Sequence, residues 1–245
     1  MISYNPRRSM SIEVNIHDAQ MAILRDLLFH PSVSFSVLQK NTEMTSDHFN
    51  FHLQKLIELK LVEKVSRGTY SLTQRGKEYA NKLDTDSNTI ERQPKTAVIL
   101  AIVRKVGRKT EYLFQERLKQ PYYGFWGFPT GKVRWGETIT QTAARELFEE
   151  TGLYAEHELG GVYHELVYSK ETGEQLEDKM FFVVHCTDVT GELIENFEGG
   201  RNKWMSRKEA WAQPKKFTSF DIEINIINSD VTFVEKRVEY TKDLF

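Results

Sequence analysis

Apolar side chains recur at helical spacing near the start of the chain: Ala19, Ile23, Leu24, Leu27 and Leu28 share one face of a 3.6-residue period, and Pro31 bounds the helix they predict. Ser34 reads as the N-cap of a short second helix, Phe35 to Lys40. A third helix is expected from a cap at Thr45 to about Leu59, with Phe49, Leu53 and Leu56 as its inward stripe. Residues 61–65 and 69–72 then read as two strands, and Gly68 supplies the unusual dihedral of the turn between them. Thr73 is expected to cap a further helix through Leu83.

Residues 85–94 are polar, have no apolar stripe and end at Pro94, so the pattern places a linker there between domains at 1–84 and 95–245. Beyond it the period shortens. Ala97 to Val103 is an apolar strand, residues 106–109 form a turn, and Tyr112 to Gln115 is the partner strand. A loop rich in glycine and aromatics follows at 122–129. A helix is expected from about Thr140 to Thr151, ending at Gly152. Further strands are expected near 161–168, 180–187 and 203–205, and a last helix near 221–228; residues 229–245 carry no readable pattern. The expected class is α/β (α+β).

Composition narrows the function classes. The chain has 245 residues, 40% hydrophobic and 28% charged, with a formal net charge of -2. That balance argues against a polybasic nucleic-acid coat and an acidic disordered tail. The single cysteine, Cys186, lies in an apolar run and reads as a core strand residue. The N-terminus lacks the apolar stretch of a signal peptide, and the longest apolar run, 97–103, is far short of the ~20 residues that span a bilayer. No membrane association is expected, and the cytoplasm is the expected location.

The chemistry concentrates on the helix after the glycine–aromatic loop. Glu146, Glu149 and Glu150 stand at i, i+3 and i+4, which places three carboxylates on one helical face. Like charges on one turn repel, and a hard divalent cation such as Mg²⁺ removes that cost while bridging to phosphate. Taken alone, the same pattern also describes a solvated acidic face with an i,i+4 ion pair between Arg145 and Glu149.

The surrounding run decides between them. Residues 131–153 resemble the Nudix box, Gly-x5-Glu-x7-Arg-Glu-U-x-Glu-Glu-x-Gly-U with U a bulky apolar residue, at every fixed position: Gly131, Glu137, Arg145, Glu146, Leu147, Glu149, Glu150, Gly152 and Leu153. A chance match anywhere in the chain is on the order of 10⁻⁷ from average residue usage.

The resemblance implies a Nudix α/β/α sandwich with a mixed sheet, and a hydrolase that splits diphosphate bonds. It implies Glu146, Glu149 and Glu150 as metal ligands with the Gly131 carbonyl, for Mg²⁺ or alternatively Mn²⁺. It pairs Glu137 with Arg145, which orients Glu146. Residues 128–131, Phe-Pro-Thr-Gly, resemble the Phe-Pro-Gly-Gly lead-in of the mutator-type nucleotide pyrophosphatases, with Thr130 departing from it. Arg117 sits where that group often carries a phosphate-contacting arginine; a solvated strand-end cation is the other reading. Glu198, before Trp204 and Met205, resembles a loop glutamate that adds a carboxylate to the metal site, with Glu195 and Glu192 as alternatives. A site carboxylate, Glu146 or Glu198, would take the proton of the attacking water. Tyr122, Tyr123, Phe125 and Trp126 either stack on a base or wall the loop, Trp126 being carried as a substrate contact. No counterpart of the group's purine-contacting asparagine is evident near Gln213, so an oxidised-purine preference does not follow.

The first domain, over residues 16–83, resembles a winged helix-turn-helix, most tellingly at residues 45–64. The resemblance implies that Ser46, His48, Asn50 and Gln54 of the third helix reach DNA bases or phosphates, and that Lys64 and Arg67 of the wing contact the backbone. Electrostatic support is thin: residues 1–92 hold 12 Lys+Arg against 11 Asp+Glu, and Asp47 faces phosphates poorly. Phe51, off the core stripe, reads as a contact between two copies of the chain, a homodimer.

Three functions are compatible: an active hydrolase localised or regulated by its first domain; a transcription regulator using the Nudix fold to sense a nucleotide such as ADP-ribose; and a catalytically silent interaction module. Regulators of the second kind usually carry the Nudix domain first and often lack box glutamates, whereas here the order is reversed and every glutamate is present.

Overall fold

The protein is described from a computed structural model covering residues 16–42, 44–84, 89–90, 92–241 and 243–244. The chain forms two compact units that divide between Arg92 and Gln93.

In the first unit, α1 (Asp18–Phe29), β1 (Val33–Ser34), α2 (Phe35–Thr42) and α3 (Ser46–Glu58) precede the hairpin β2 (Val62–Ser66) and β3 (Thr69–Leu72), and α4 (Gln74–Ala80) follows. Ile23, Leu24, Leu27, Leu38, Phe49, Leu53 and Leu56 pack into one core, so the stripes read from the sequence are the buried faces. Ser34 does not cap α2 through a backbone bond; it pairs with Thr69 in the three-stranded sheet β1–β3–β2. Thr45 stands at the N-cap of α3 without a side-chain cap bond, whereas the Thr73 hydroxyl accepts from the Gly76 amide at 2.9 Å. The helix it caps ends at Ala80 rather than Leu83. Leu83 instead enters a two-residue ribbon, β4 (Leu83–Asp84) with β5 (Thr89–Ile90), inside the segment read as a linker. Residues 85–88 and 91 of that segment lie outside the described residues.

The second unit is built on a mixed sheet. Its strands are β6 (Lys95–Val106), β7 (Lys109–Arg117), β8 (Trp126–Gly127), β9 (Thr130–Lys132), β10 (Leu153–Ser169), β11 (Gln175–Gly191), β12 (Asn196–Phe197), β13 (Gly200–Met205) and β14 (Phe233–Tyr240). The helices are α5 (Ile139–Thr151), α6 (Arg207–Trp211) and α7 (Phe220–Asn228). The sheet runs β12–β13–β7–β6–β11–β10–β14, with β8 on β7 and β9 on β6. β6 pairs parallel with β11, and β14 parallel with β10, while the other pairs are antiparallel. β14 thus organises part of the tail that carried no readable pattern.

The two-residue period of β6 sorts the core. Val98, Leu100 and Ile102 pack with Ala143 and Leu147 of α5, whereas Ala97, Ile99 and Ala101 join Phe220, Ile224 and Ile226 of α7. Helices therefore cover both faces, an α/β/α sandwich. Cys186 is buried in the α5 layer, where burial pushes its thiol up to about 12, so it serves as an apolar core residue. Among the described residues no helix is long and apolar enough to cross a membrane.

Candidate active site

Helix α5 starts at a capping box: the Thr138 hydroxyl accepts from the Gln141 amide and the Gln141 side chain accepts from the Thr138 amide. It stops at Gly152, whose φ of 72° is a left-handed conformation that favours glycine. The loop before it is tied down by Arg145. Its Nε and Nη2 donate to the two oxygens of Glu137, each at 2.8 Å, and Nη2 also reaches the Lys132 carbonyl at 3.2 Å. Glu137 accepts in addition from the Thr142 hydroxyl at 2.9 Å. The Arg145 guanidinium holds the Glu137 carboxyl down at about 2. Through Nη1, Arg145 contacts Glu146 Oε1 at 2.5 Å and Glu149 Oε2 at 3.2 Å.

Gly131, on β9, meets this helix at closest approach. A Cβ built on it would lie 1.9 Å from Glu146 Cγ, so any side chain there displaces the carboxylate. Glu146, Glu150 and Gly131 line one cavity of about 720 Å³ in the second unit. Glu150 is fixed from two sides. Gln115 Nε2 donates to its Oε2 at 3.0 Å, and Lys119 Nζ lies 3.9 Å from its Oε1. Burial raises its proton affinity. Asn202 anchors the end of the same helix, donating to the carbonyls of Glu150 at 2.7 Å and Ile194 at 2.8 Å while accepting from Gln115 at 3.2 Å.

The remaining expected site residues divide between the cavity wall and the surrounding structure. Glu149 is outside the cavity lining and pairs with Arg134 at 3.3 Å as well as with Arg145. Glu198 sits on the exposed turn between β12 and β13, also outside the lining. Arg117 lines the cavity, but its guanidinium donates to the Pro121 carbonyl at 2.6 Å and the Gln120 carbonyl at 3.2 Å, so it braces its own loop. Trp126 does not line the cavity. It is 5% exposed, packs in the α7-side core and faces Arg201. Of the loop aromatics Tyr122 is in the lining, and Tyr123 is exposed.

Residues that the sequence reading passed over complete the cavity: Gln115 and Lys119 near Glu150, and Tyr163, Glu165, Glu177, Lys179, Phe217 and Glu223 elsewhere in its lining. The one available signal was a charged residue at a buried parity position of a strand, Glu165 on β10 and Glu177 on β11.

Among the described residues no group of three or more His, Cys, Asp or Glu side chains is gathered as a metal cage. The donor chemistry nevertheless suits a hard divalent cation: Glu146 and Glu150 offer carboxylate oxygens one turn apart, beside the backbone space left by Gly131. In the first unit, Ser46, His48, Asn50 and Gln54 of α3 and Lys64 and Arg67 of the hairpin are all exposed, as is Phe51.

Comparison with known proteins agrees with the box. The model of the NUDIX domain family matches residues 93–225. An uncharacterised Nudix hydrolase, YvcI of Bacillus subtilis (strain 168), is 31% identical over 88 residues, 36% of this chain and 54% of that protein; the match thus spans about half the length of that curated relative. Among solved structures, a MutT protein of Bacillus halodurans matches with 24% identity and a TM-score of 0.48, over 62% of this chain and 93% of its own. The NUDIX domain of NrtR from Shewanella oneidensis, solved with ADP ribose, matches with 17% identity and a TM-score of 0.46, over 64% of this chain and 96% of its own.

Proposed function

Because the chain belongs to the Nudix family, we propose that its second unit, residues 93–245, is a divalent-metal-dependent hydrolase that cleaves the diphosphate bond of a nucleotide-type substrate in the cytoplasm. The observation that supports it most is one cavity receiving the box carboxylates Glu146 and Glu150, the box glycine Gly131, and the cation Lys119.

Glu146 and Glu150 with the Gly131 carbonyl are the groups that would hold Mg²⁺ or Mn²⁺; Glu149, paired with Arg134 and Arg145, joins them only if those ion pairs open. Bound there, the cation supplies charge neutralisation for the diphosphate and acidifies water. The other roles belong to the chain. Lys119 meets the anionic end of the substrate. Gln115 and Asn202 keep Glu150 aimed into the cavity, and Arg145, locked on Glu137, orients Glu146. Glu146 takes the proton of the attacking water. Glu198 joins the ligand set only if its turn closes toward the cavity.

A chromatographic screen for the nucleotide products of nucleoside triphosphates, ADP-ribose, NAD and dinucleoside polyphosphates tests this reading. Turnover with at least one member is expected, dependent on Mg²⁺ or Mn²⁺. Glu150→Gln should lower kcat by at least ~100-fold with the circular dichroism spectrum unchanged. Absence of turnover across the panel overturns the proposal.

We assign the first unit to DNA binding as a winged helix, the exposed polar face of α3 and the hairpin cations Lys64 and Arg67 supporting it. A gel shift on the chain's own upstream DNA tests that role. Retardation released by a nucleotide, without turnover, would favour a nucleotide-sensing regulator.

A further inference from the structure

Among the described residues β14 ends the order of the sheet and pairs with β10 alone. Its burial is slight: Val234, Val238 and Tyr240 are half-buried and its other five residues are exposed. Little apolar area holds such a strand, so its polar ties weigh more than they would in a central one. One tie bridges three strands. On the sheet face turned away from α7, His164 of β10 lies between two carboxylates. Glu235 of β14 is 2.6 Å from its Nδ1, and Asp178 of β11 is 2.9 Å from its Nε2. The His164 side chain is 14% exposed, so water competes little for either contact. A neutral imidazole has one N–H, and an ionised carboxylate can only accept. With both carboxylates ionised, a neutral ring therefore leaves one of its lone pairs facing carboxylate oxygens. The imidazolium, with an N–H at each end, makes two charge-assisted bonds instead.

We propose that His164 is a proton-operated latch: as an imidazolium it fastens β14 to β10 and β11, and on losing its proton it lets the strand open. The other charged side chains that β14 presents on this face are Arg237 and Glu239. Arg237 lies over Tyr168, 3.8 Å from the ring centre, and pairs with Glu239 at 3.6 Å, which leaves Asp178 and Glu235 to set the charge that His164 meets. The hydrogen bond to Asp178, joined by that to Glu235, raises its proton affinity above the ordinary 6.5 against the opposing effect of burial. A raised value in the folded state means that the latch is complete below 6.5 and is lost as pH rises through the raised value. Opening reaches the cavity. Tyr240, at the end of β14, packs on Tyr122 and Phe125 with ring centres 5.0 and 6.0 Å apart, and Tyr122 lines the cavity.

The test needs no turnover, so it stands apart from the hydrolase reading. Trypsin can cut after Lys236 and Arg237 only while β14 is open, and the cutting rate then follows the open population. The full chain would be digested at pH 6.5 and pH 9, with these cuts followed by mass spectrometry. Each rate is divided by that of a free peptide of residues 230–241 at the same pH. The normalised rate should rise ten-fold or more from pH 6.5 to pH 9 in the wild type. His164→Gln should cut at the fast rate at both values. Glu235→Gln separates a latch from a merely structural contact. Its amide can donate to the lone pair of a neutral ring, so β14 should stay closed at pH 9. An NMR titration of the His164 ring should give a midpoint above 6.5, lowered in Glu235→Gln. Equal normalised rates at both pH values in the wild type overturn the proposal. So does a wild-type pH dependence retained by either variant, or a ring midpoint at or below 6.5.

Discussion

Arg145 and Glu137 carry the geometry of the loop–helix at the level of single side chains. The guanidinium grips both Glu137 oxygens at 2.8 Å and is 15% exposed, so this is a bidentate, charge-assisted pair rather than a solvated surface contact. Its linkage to pH has a definite sign. The carboxyl, ordinarily near 4.5, is held at about 2 by Arg145, so its stabilisation is complete above the ordinary value and is lost as pH falls from there through 2. Glu137→Gln should therefore cost about 1–2 kcal/mol at pH 7, and that deficit should shrink as the pH approaches 2. Urea melts of both proteins at pH 7 and pH 2.5 check it; an equal deficit at both values would trace the loss to something other than the ion pair. Gly131 is constrained differently. It is required by space, because Glu146 fills the volume a Cβ would take, whereas Gly152 is required by its left-handed φ.

At the scale of elements, the loop and helix of residues 131–153 were legible because their constraints are local: cap, carboxylate spacing and terminal glycine all fall within residues 138–152. The rest of the site was not, because its partners meet only in the folded sheet. Asn202 lies 52 residues from Glu150 and Lys95 lies 82 from Glu177, and no periodicity predicts such pairings. Parity along β10 and β11 shows which residues face inward, but not that the interior there is a cavity. β14 escaped the sequence reading because only its second, sixth and eighth residues are even partly covered, so its alternation is nearly polar throughout. Trp126 went astray for the converse reason: an aromatic in a glycine-rich loop looks available for stacking, yet its short pairing with β7 turns it into the core. Asn202 supplies a test of the element-scale argument. As a positioning residue for α5, Asn202→Ala should leave the Glu150 and Ile194 carbonyls unpaired and cost about 1–3 kcal/mol of stability. It should lower kcat more than it raises KM, since the carboxylate loses its aim while the cavity keeps its lining. A pure KM effect would assign Asn202 to substrate binding instead.

For the whole molecule, each unit has its own core, Leu24, Leu53 and Leu56 in the first and two layers about the sheet in the second. The exposed faces of α3 and the hairpin therefore sit on a self-sufficient frame, and the DNA-binding role proposed for them depends on charge. With 12 basic against 11 acidic residues over positions 1–92, it has no broad electrostatic footprint, so DNA affinity must come from a few placed contacts and should show a shallow salt dependence. Lys64 and Arg67 are the exposed hairpin cations, and Asn50 and Gln54 the exposed amides of α3. If the hairpin meets phosphates, replacing both cations with alanine should weaken binding to every duplex alike and reduce the slope of log K against log salt by about 2, near 0.9 per phosphate contact. If α3 reads bases, Asn50→Ala should leave that slope alone and cost about 1–3 kcal/mol on the preferred duplex only. Fluorescence anisotropy of the full chain between 50 and 200 mM salt separates the two signatures. Identical slopes before and after the double substitution would remove the hairpin from the interface, and would leave Phe51 on its exposed face as the stronger argument for a protein partner.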